Sequence, residues 1–277
     1  MEDTKIYYQY YKDEKEDKIA QRIFFIFVFI LLLFYAMLFI TNIVFQQNYR
    51  YITINGCSMQ PTLNPDPVII NGNAVQDGVY LKLTQDVTYN DIVVIDKTEE
   101  NDSTPMTVIK RVLALGGDKI SIARVPVEGQ ARSSYRFMKI KNGTNKIEVI
   151  YEDYIKSYDL WDLDYSILDN GVEYESFFYE QFIEGEQTTE YMVEGVGMVK
   201  FYQVQEGHIF FMGDNRTGST DARMTGTEPI TKVVGKVRAI VRNSTSYQNS
   251  IFWWFGRVKE FFVIVWNDIV DYFAWKA

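Results

Sequence analysis

The chain has 277 residues, a net charge of −9, one cysteine and one histidine. The acidic balance argues against nucleic-acid binding, which needs basic patches against phosphate. One cysteine excludes an intramolecular disulfide and one histidine excludes a multi-histidine metal site; with no zinc-ligand spacing or calcium loop in view, no cofactor is expected.

The first element in chain order is the uncharged run 23–45, "IFFIFVFILLLFYAMLFITNIVF". As a helix it spans about 35 Å, enough for a hydrocarbon core of roughly 30 Å. A cleaved signal peptide would have a shorter run and a small-residue cleavage site, and a buried core helix is the remaining competitor. Residues 1–22 carry Lys5, Lys12, Lys15, Lys18 and Arg22, whereas the short flank after the run carries only Arg50. The positive-inside rule makes residues 1–22 a cytosolic tail and puts the chain beyond the span on the outside.

After the span the text reads as strands and turns. "YITI", "PVIING", "DIVVID" (91–96), "TVIKRVLAL" (107–115), "GMVKFYQV", "GHIFFMGDN" and "VVGKVRAIV" (233–241) are short apolar runs bounded by turn residues. There is no βαβ rhythm, so the expectation is a mostly β domain. Residues 148–190 hold 13 Asp/Glu against one basic residue, Lys156, interleaved with aromatics. They read as a solvated inserted lobe or as a partner-binding face. In the C-terminal stretch 251–277, Gly256, Arg257, Glu260, Asn267, Asp268 and Asp271 fall on one helical face and most other positions are apolar or aromatic. That pattern suits an amphipathic helix at a membrane interface; packing on the chain's own domain and a second span are the other readings.

Chemistry has few places to reside. Cys57 and Ser58 are adjacent in "NGCSMQPTL", and either can be a nucleophile. If this segment is extended, the two side chains face opposite ways. The only histidine, His208, begins an apolar strand. The alternative base is a neutral lysine, and Lys110 shares a strand face with Val108 and Val112. Apolar burial can make a lysine neutral; a snorkelling surface lysine is the bland reading. The third polar segment, "GDNRTGSTDAR" (213–223), is a loop mounted on a core strand. It offers Asp214 and Asn215 for turn-holding bonds, an Asp221–Arg223 pair, and Ser219 as a hydroxyl that can aim an amine.

Taken together, these segments resemble the bacterial type I signal peptidase family. "SMQPTL" (58–63) is similar to its nucleophile motif, "DIVVI" (91–95) to its next strand, and "KRVLALGGD" (110–118) to its base motif. "GDNRTGSTDAR" is similar to its last loop motif and "GTEPITKVVGKV" (226–237) to its closing segment. The resemblance implies a signal-peptidase-like β core with an inserted second lobe, here 119–200, between core segments 46–118 and 201–250. It implies that Ser58 is the nucleophile and Lys110 the general base. Gly56 lies at an oxyanion-hole position and Ser219 orients the lysine. Met59, Pro61, Arg111, Asp214, Asn215, Arg216, Asp221 and Arg223 shape the site. Ala114, Gly116 and Ala222 depart from the motifs at small or turn-compatible positions. Gly56 stands where some members carry a serine donor, and glycine there is common in Gram-positive members. The implied partners are preprotein signal peptides with small residues at −1 and −3, and membrane lipid. The implied location is a bacterial plasma membrane, with the catalytic domain outside. Ser58 lies 13 residues past the span, which suits a substrate whose scissile bond lies just after an apolar segment. Two other classes stay open: a signal-peptidase-like surface-assembly factor that binds one precursor, and a self-cleaving repressor with a similar Ser–Lys pair.

Overall fold

The computed structural model describes residues 2–65, 68–70, 73–98, 105–126, 133–150, 188–216, 218–242, 262–264, 266 and 268. It divides into two compact units, Met1–Tyr49 and Arg50–Ala277. The first is a single helix, α1 (Glu2–Asn48). Residues 2–22 of the expected tail are helical and continuous with the apolar run. No glycine or proline precedes Gly56, so nothing interrupts the helix ladder between the charged and apolar parts. Among the described residues, the stretch Glu16–Met37 is long and apolar enough to cross a membrane, and none of it is buried against protein.

The second unit is β-rich. Its strands are β1 (Tyr49–Thr53), β2 (Val68–Ile70), β3 (Asn73–Val75), β4 (Gly78–Lys82), β5 (Ile92–Asp96), β6 (Thr107–Leu115) and β7 (Lys119–Pro126). They continue as β8 (Ser133–Ile140), β9 (Ile147–Val149), β10 (Thr188–Val193), β11 (Gly197–Gln203), β12 (His208–Met212), β13 (Glu228–Pro229) and β14 (Val233–Val241). A single-turn helix, α2 (Ala222–Thr225), precedes β13. One antiparallel sheet has the order β1-β4-β14-β5-β6-β12-β13, a second β10-β11-β7-β8-β9, and β2-β3 is a small ribbon.

Strand β6 is buried on both faces along most of its length, which is why it reads as nearly continuous apolar text. Val93, Ile95, Val112, Phe210 and Phe211 join Ile120, Ile122 and Phe137 of the second sheet in one core. Ile54, Met59, Leu63, Val79, Leu81, Val94 and Ile109 form another. The second sheet runs from Lys119 to Gln203 and shares the larger core, so this part of the expected insert is rooted in the second unit. Most of the acidic stretch, 151–187, lies outside the described residues.

Ala114 lies near the end of β6 and Gly116 in the β6–β7 turn. Gly117 has φ 86° and donates to the Val204 carbonyl (2.8 Å), while Leu115 N donates to the Asp118 carboxylate (2.8 Å). Near the C-terminus, residues 262–264, 266 and 268 are helical. Asp268 accepts from Arg238 on β14 (2.8 and 2.6 Å) and from Lys82 on β4 (3.0 Å).

Candidate active site

The segment carrying Ser58 is a loop, not an extended strand. Gly56 has φ 102°, a backbone region that L side chains avoid, and Gln60 N closes a turn onto the Cys57 carbonyl (3.0 Å). The alternation expected of Cys57 and Ser58 therefore does not apply. Burial still separates them: Cys57 is exposed and Ser58 is half-buried. Two apolar residues anchor the loop. Met59 and Leu63 are both 1% exposed, and Leu63 N bonds the Met59 carbonyl (2.9 Å), so one turn directs both side chains into the core. Each contributes about 1.5–3 kcal/mol of burial. Between them the Gln60–Pro61 bond is cis.

A latch closes the loop's far end. Asn64 N donates to the Asp77 carboxylate (2.8 Å) and Asp77 N donates to Asn64 Oδ1 (2.7 Å). Asn64 Nδ2 also reaches the carbonyls of Ile54 (2.9 Å) and Gly56 (3.1 Å). Sequence reasoning passed over both residues. The pair is separated by 13 positions, and only "NPDP" after Leu63 hinted at a built turn.

Strand β6 supplies the partner. Lys110 is 3% exposed, and its Nζ lies 3.0 Å from Ser58 Oγ while donating to the Ile109 carbonyl (2.9 Å). The snorkelling reading is thus replaced: the strand is interior to the sheet, with β5 and β12 on either side. Burial lowers the Lys110 pKa; Asp221 opposes this, Lys97 and Arg223 reinforce it, and Asp214 opposes it.

Those carboxylates are matched by arginines. Arg111, the next residue on β6, grips Asp214 with two bonds (2.8 and 2.6 Å). Thr62 Oγ1 donates to the same carboxylate, and Arg111 also reaches the Asn90 carbonyl (3.0 Å). Arg223 takes both oxygens of Asp221 (2.8 and 2.9 Å). Burial alone would raise the Asp221 carboxyl, but the Arg223 charge and hydrogen bonds from Arg223 and Gly213 N hold it below the usual carboxylate range. Both acids beside Lys110 thus have a cation of their own, which leaves less field to keep the lysine protonated.

The loop 213–223 lies directly on Ser58. Asn215 N donates to the Ser58 carbonyl (3.1 Å) and Asn215 Nδ2 to the Cys57 carbonyl (3.1 Å). Any Cβ at Gly213 would collide with the Ser58 carbonyl and with Ser219, so glycine is required for this approach. Arg216 is buried, donates to the Gly213 carbonyl (2.9 Å) and lies over the Phe137 ring; Arg223 in turn bonds the Arg216 carbonyl (2.8 Å).

Not every expected residue does what was expected of it. Ser219 is buried beside this cluster, yet its Oγ makes no well-formed hydrogen bond among the described residues, to Lys110 or otherwise; its influence on Asp221 is that of a near neighbour. His208 sits at the start of β12 opposite Pro229, its ring against the Glu206 carbonyl (3.3 Å). Lys97 was missed. It lies just after β5, bonds Glu228 (2.5 Å), and its charge reaches Lys110.

A serine and a buried lysine stand at hydrogen-bond distance, braced by a polar loop. The family described as signal peptidase, peptidase S26, matches residues 21–242. The chain belongs to the signal peptidase family. No curated protein matches it. The matched span runs from within α1 to one residue beyond β14, so it takes in both sheets and every site residue named above. Membership carries serine-peptidase hydrolysis and signal-peptide substrates as the family's activity. One apolar N-terminal helix and this family fit a single-pass membrane protein.

Proposed function

We propose that this protein is a membrane-anchored endopeptidase that removes signal peptides from secreted or surface preproteins with a Ser58–Lys110 dyad. The observation that carries the reading is the 3.0 Å separation of Lys110 Nζ and Ser58 Oγ, with the amine shut away from water. With the amine neutral, the Ser58 hydroxyl donates into the Nζ lone pair, and the Ile109 carbonyl holds one Nζ proton and aims that lone pair.

Ser58 Oγ attacks the scissile carbonyl as its proton passes to Lys110. The Ser58 backbone N–H, unengaged among the described residues, is one oxyanion donor. Collapse of the tetrahedral intermediate breaks the C–N bond, and Lys110 returns its proton to the leaving amine. A water deprotonated by Lys110 then hydrolyses the ester and regenerates Ser58. Asn215, Arg111 and Asp214 hold the nucleophile loop, and Arg223 and Asp221 hold the base's surroundings. Ser219 acts as the near neighbour of this cluster. The basic flank of the anchor puts the N-terminus in the cytosol and the catalytic unit outside a bacterial cell membrane, with small substrate residues at −1 and −3.

The test is cleavage of a preprotein in lipid by Ser58→Ala, Lys110→Ala, Cys57→Ala and His208→Ala. Loss in the first two and retention in the last two is expected; activity that survives Lys110→Ala but not His208→Ala sinks the dyad. Covalent labelling of Ser58 by a penem separates an enzyme from a signal-peptidase-like binder.

A further inference from the structure

The C-terminal helix presents its residues in two directions. Ile264 is 0% exposed and Asp268, four residues on, is clamped by Arg238 and Lys82. Phe262 and Trp266, also four apart, are 64% and 66% exposed, with Val263 exposed beside them. At 3.6 residues per turn, positions 262 and 264 are about 200° apart, so the two pairs lie on opposite faces. The face carrying Ile264 and Asp268 thus turns inward, with Asp268 held by Arg238 of β14 and Lys82 of β4, and the aromatic face turns outward.

We propose that this outward face is a second membrane contact, seated in the lipid interface. The proposal rests on α1 lying in a bilayer. Three observations select lipid as the occupant. Strand β1 begins at Tyr49, directly after α1 ends, and β1, β4 and β14 are sheet neighbours, so the strands that clamp the helix belong to the sheet margin covalently joined to the anchor. Tryptophan and phenylalanine with no exposed acid among the described helix residues suit the interfacial zone. Two copies of a chain with net charge −9 repel, which disfavours self-association through this face. The same net charge means that apolar insertion, not attraction to anionic headgroups, holds the contact, so neutral lipid suffices.

The full chain is reconstituted in phosphatidylcholine vesicles in a Cys57→Ala background. A polarity-sensitive fluorophore is attached, in separate variants, at Trp266→Cys and Phe262→Cys. Glu190→Cys on exposed β10 serves as the aqueous reference and Leu32→Cys on α1 as the lipid reference. Probes at 266 and 262 are expected to shift to the blue, lose intensity to nitroxide carried on shallow acyl positions, and resist iodide, with no change at high salt. Iodide quenching at 266 and 262 equal to that at 190, with the probe at 32 quenched by lipid, overturns this proposal alone. Protection from both quenchers means that protein covers the face, and also overturns it. Failure of lipid quenching at 32 overturns the membrane placement on which it rests.

Discussion

Replacing Lys110 with methionine tests the neutral base without using activity. Methionine keeps the stem's volume and the surrounding apolar contacts. In the folded protein, burial lowers the lysine below its ordinary value of 10.5; in the unfolded chain it keeps that value. Between the two values the unfolded state holds one more proton than the folded state. Stability from this residue therefore rises as pH rises through that window, by about 1.4 kcal/mol per pH unit. The penalty is complete below the folded pKa and vanishes above 10.5. Lys110→Met should thus be more stable than wild type at neutral pH, with the difference closing as pH rises. Lys139 is also lowered by burial, but it is present in both proteins and cancels in the subtraction. Denaturant unfolding of both proteins from about pH 6 to pH 10 measures the slope. The pH at which the difference stops growing is the folded pKa, and the acidic limb of wild-type kcat/KM must break there. A flat difference across the range means that folded Lys110 is charged, which refutes the neutral base. A break more than about one unit from the kinetic limb refutes the assignment of that limb to Lys110.

Three further outcomes are expected. Arg223→Gln leaves the buried Asp221 carboxylate without its cation; thermal melts should show a loss of about 3–5 kcal/mol, and the acidic limb of the pH–rate profile should move to higher pH. Gly213→Ala drives a methyl into the Ser58 carbonyl and Ser219, so kcat should fall at least about tenfold; unchanged kcat would show that the 213–223 loop does not set the nucleophile's position. Gly56→Ser should not improve the enzyme: no atom lies within 4 Å of the added Cβ, but φ 102° costs about 1–2 kcal/mol, readable as a lowered Tm, unless the loop rearranges.

Periodic text determined much of this protein without help. The uncharged run after Arg22, the short bounded apolar run of "DIVVID" and the long apolar "TVIKRVLAL" are local patterns, and helix and strand formation respond to local patterns. Strand β4 was missed: "GVYLK" is short, buried on both faces, and reads like any apolar patch. Ser58, Lys110 and the 213–223 loop were legible as residue types in order. Their contact was not, because it joins positions 52 residues apart and depends on strand order β5-β6-β12. Only the tertiary structure decided that Lys110 is interior rather than snorkelling, since burial is a property of what covers a strand. It also matched Asp214 and Asp221 to Arg111 and Arg223 and brought Asn64 to Asp77. For the C-terminal helix, the sequence determined that it is two-faced. Which face meets protein was decided by Arg238 and Lys82, two cations on neighbouring strands that pull Asp268 inward and leave Trp266 outside.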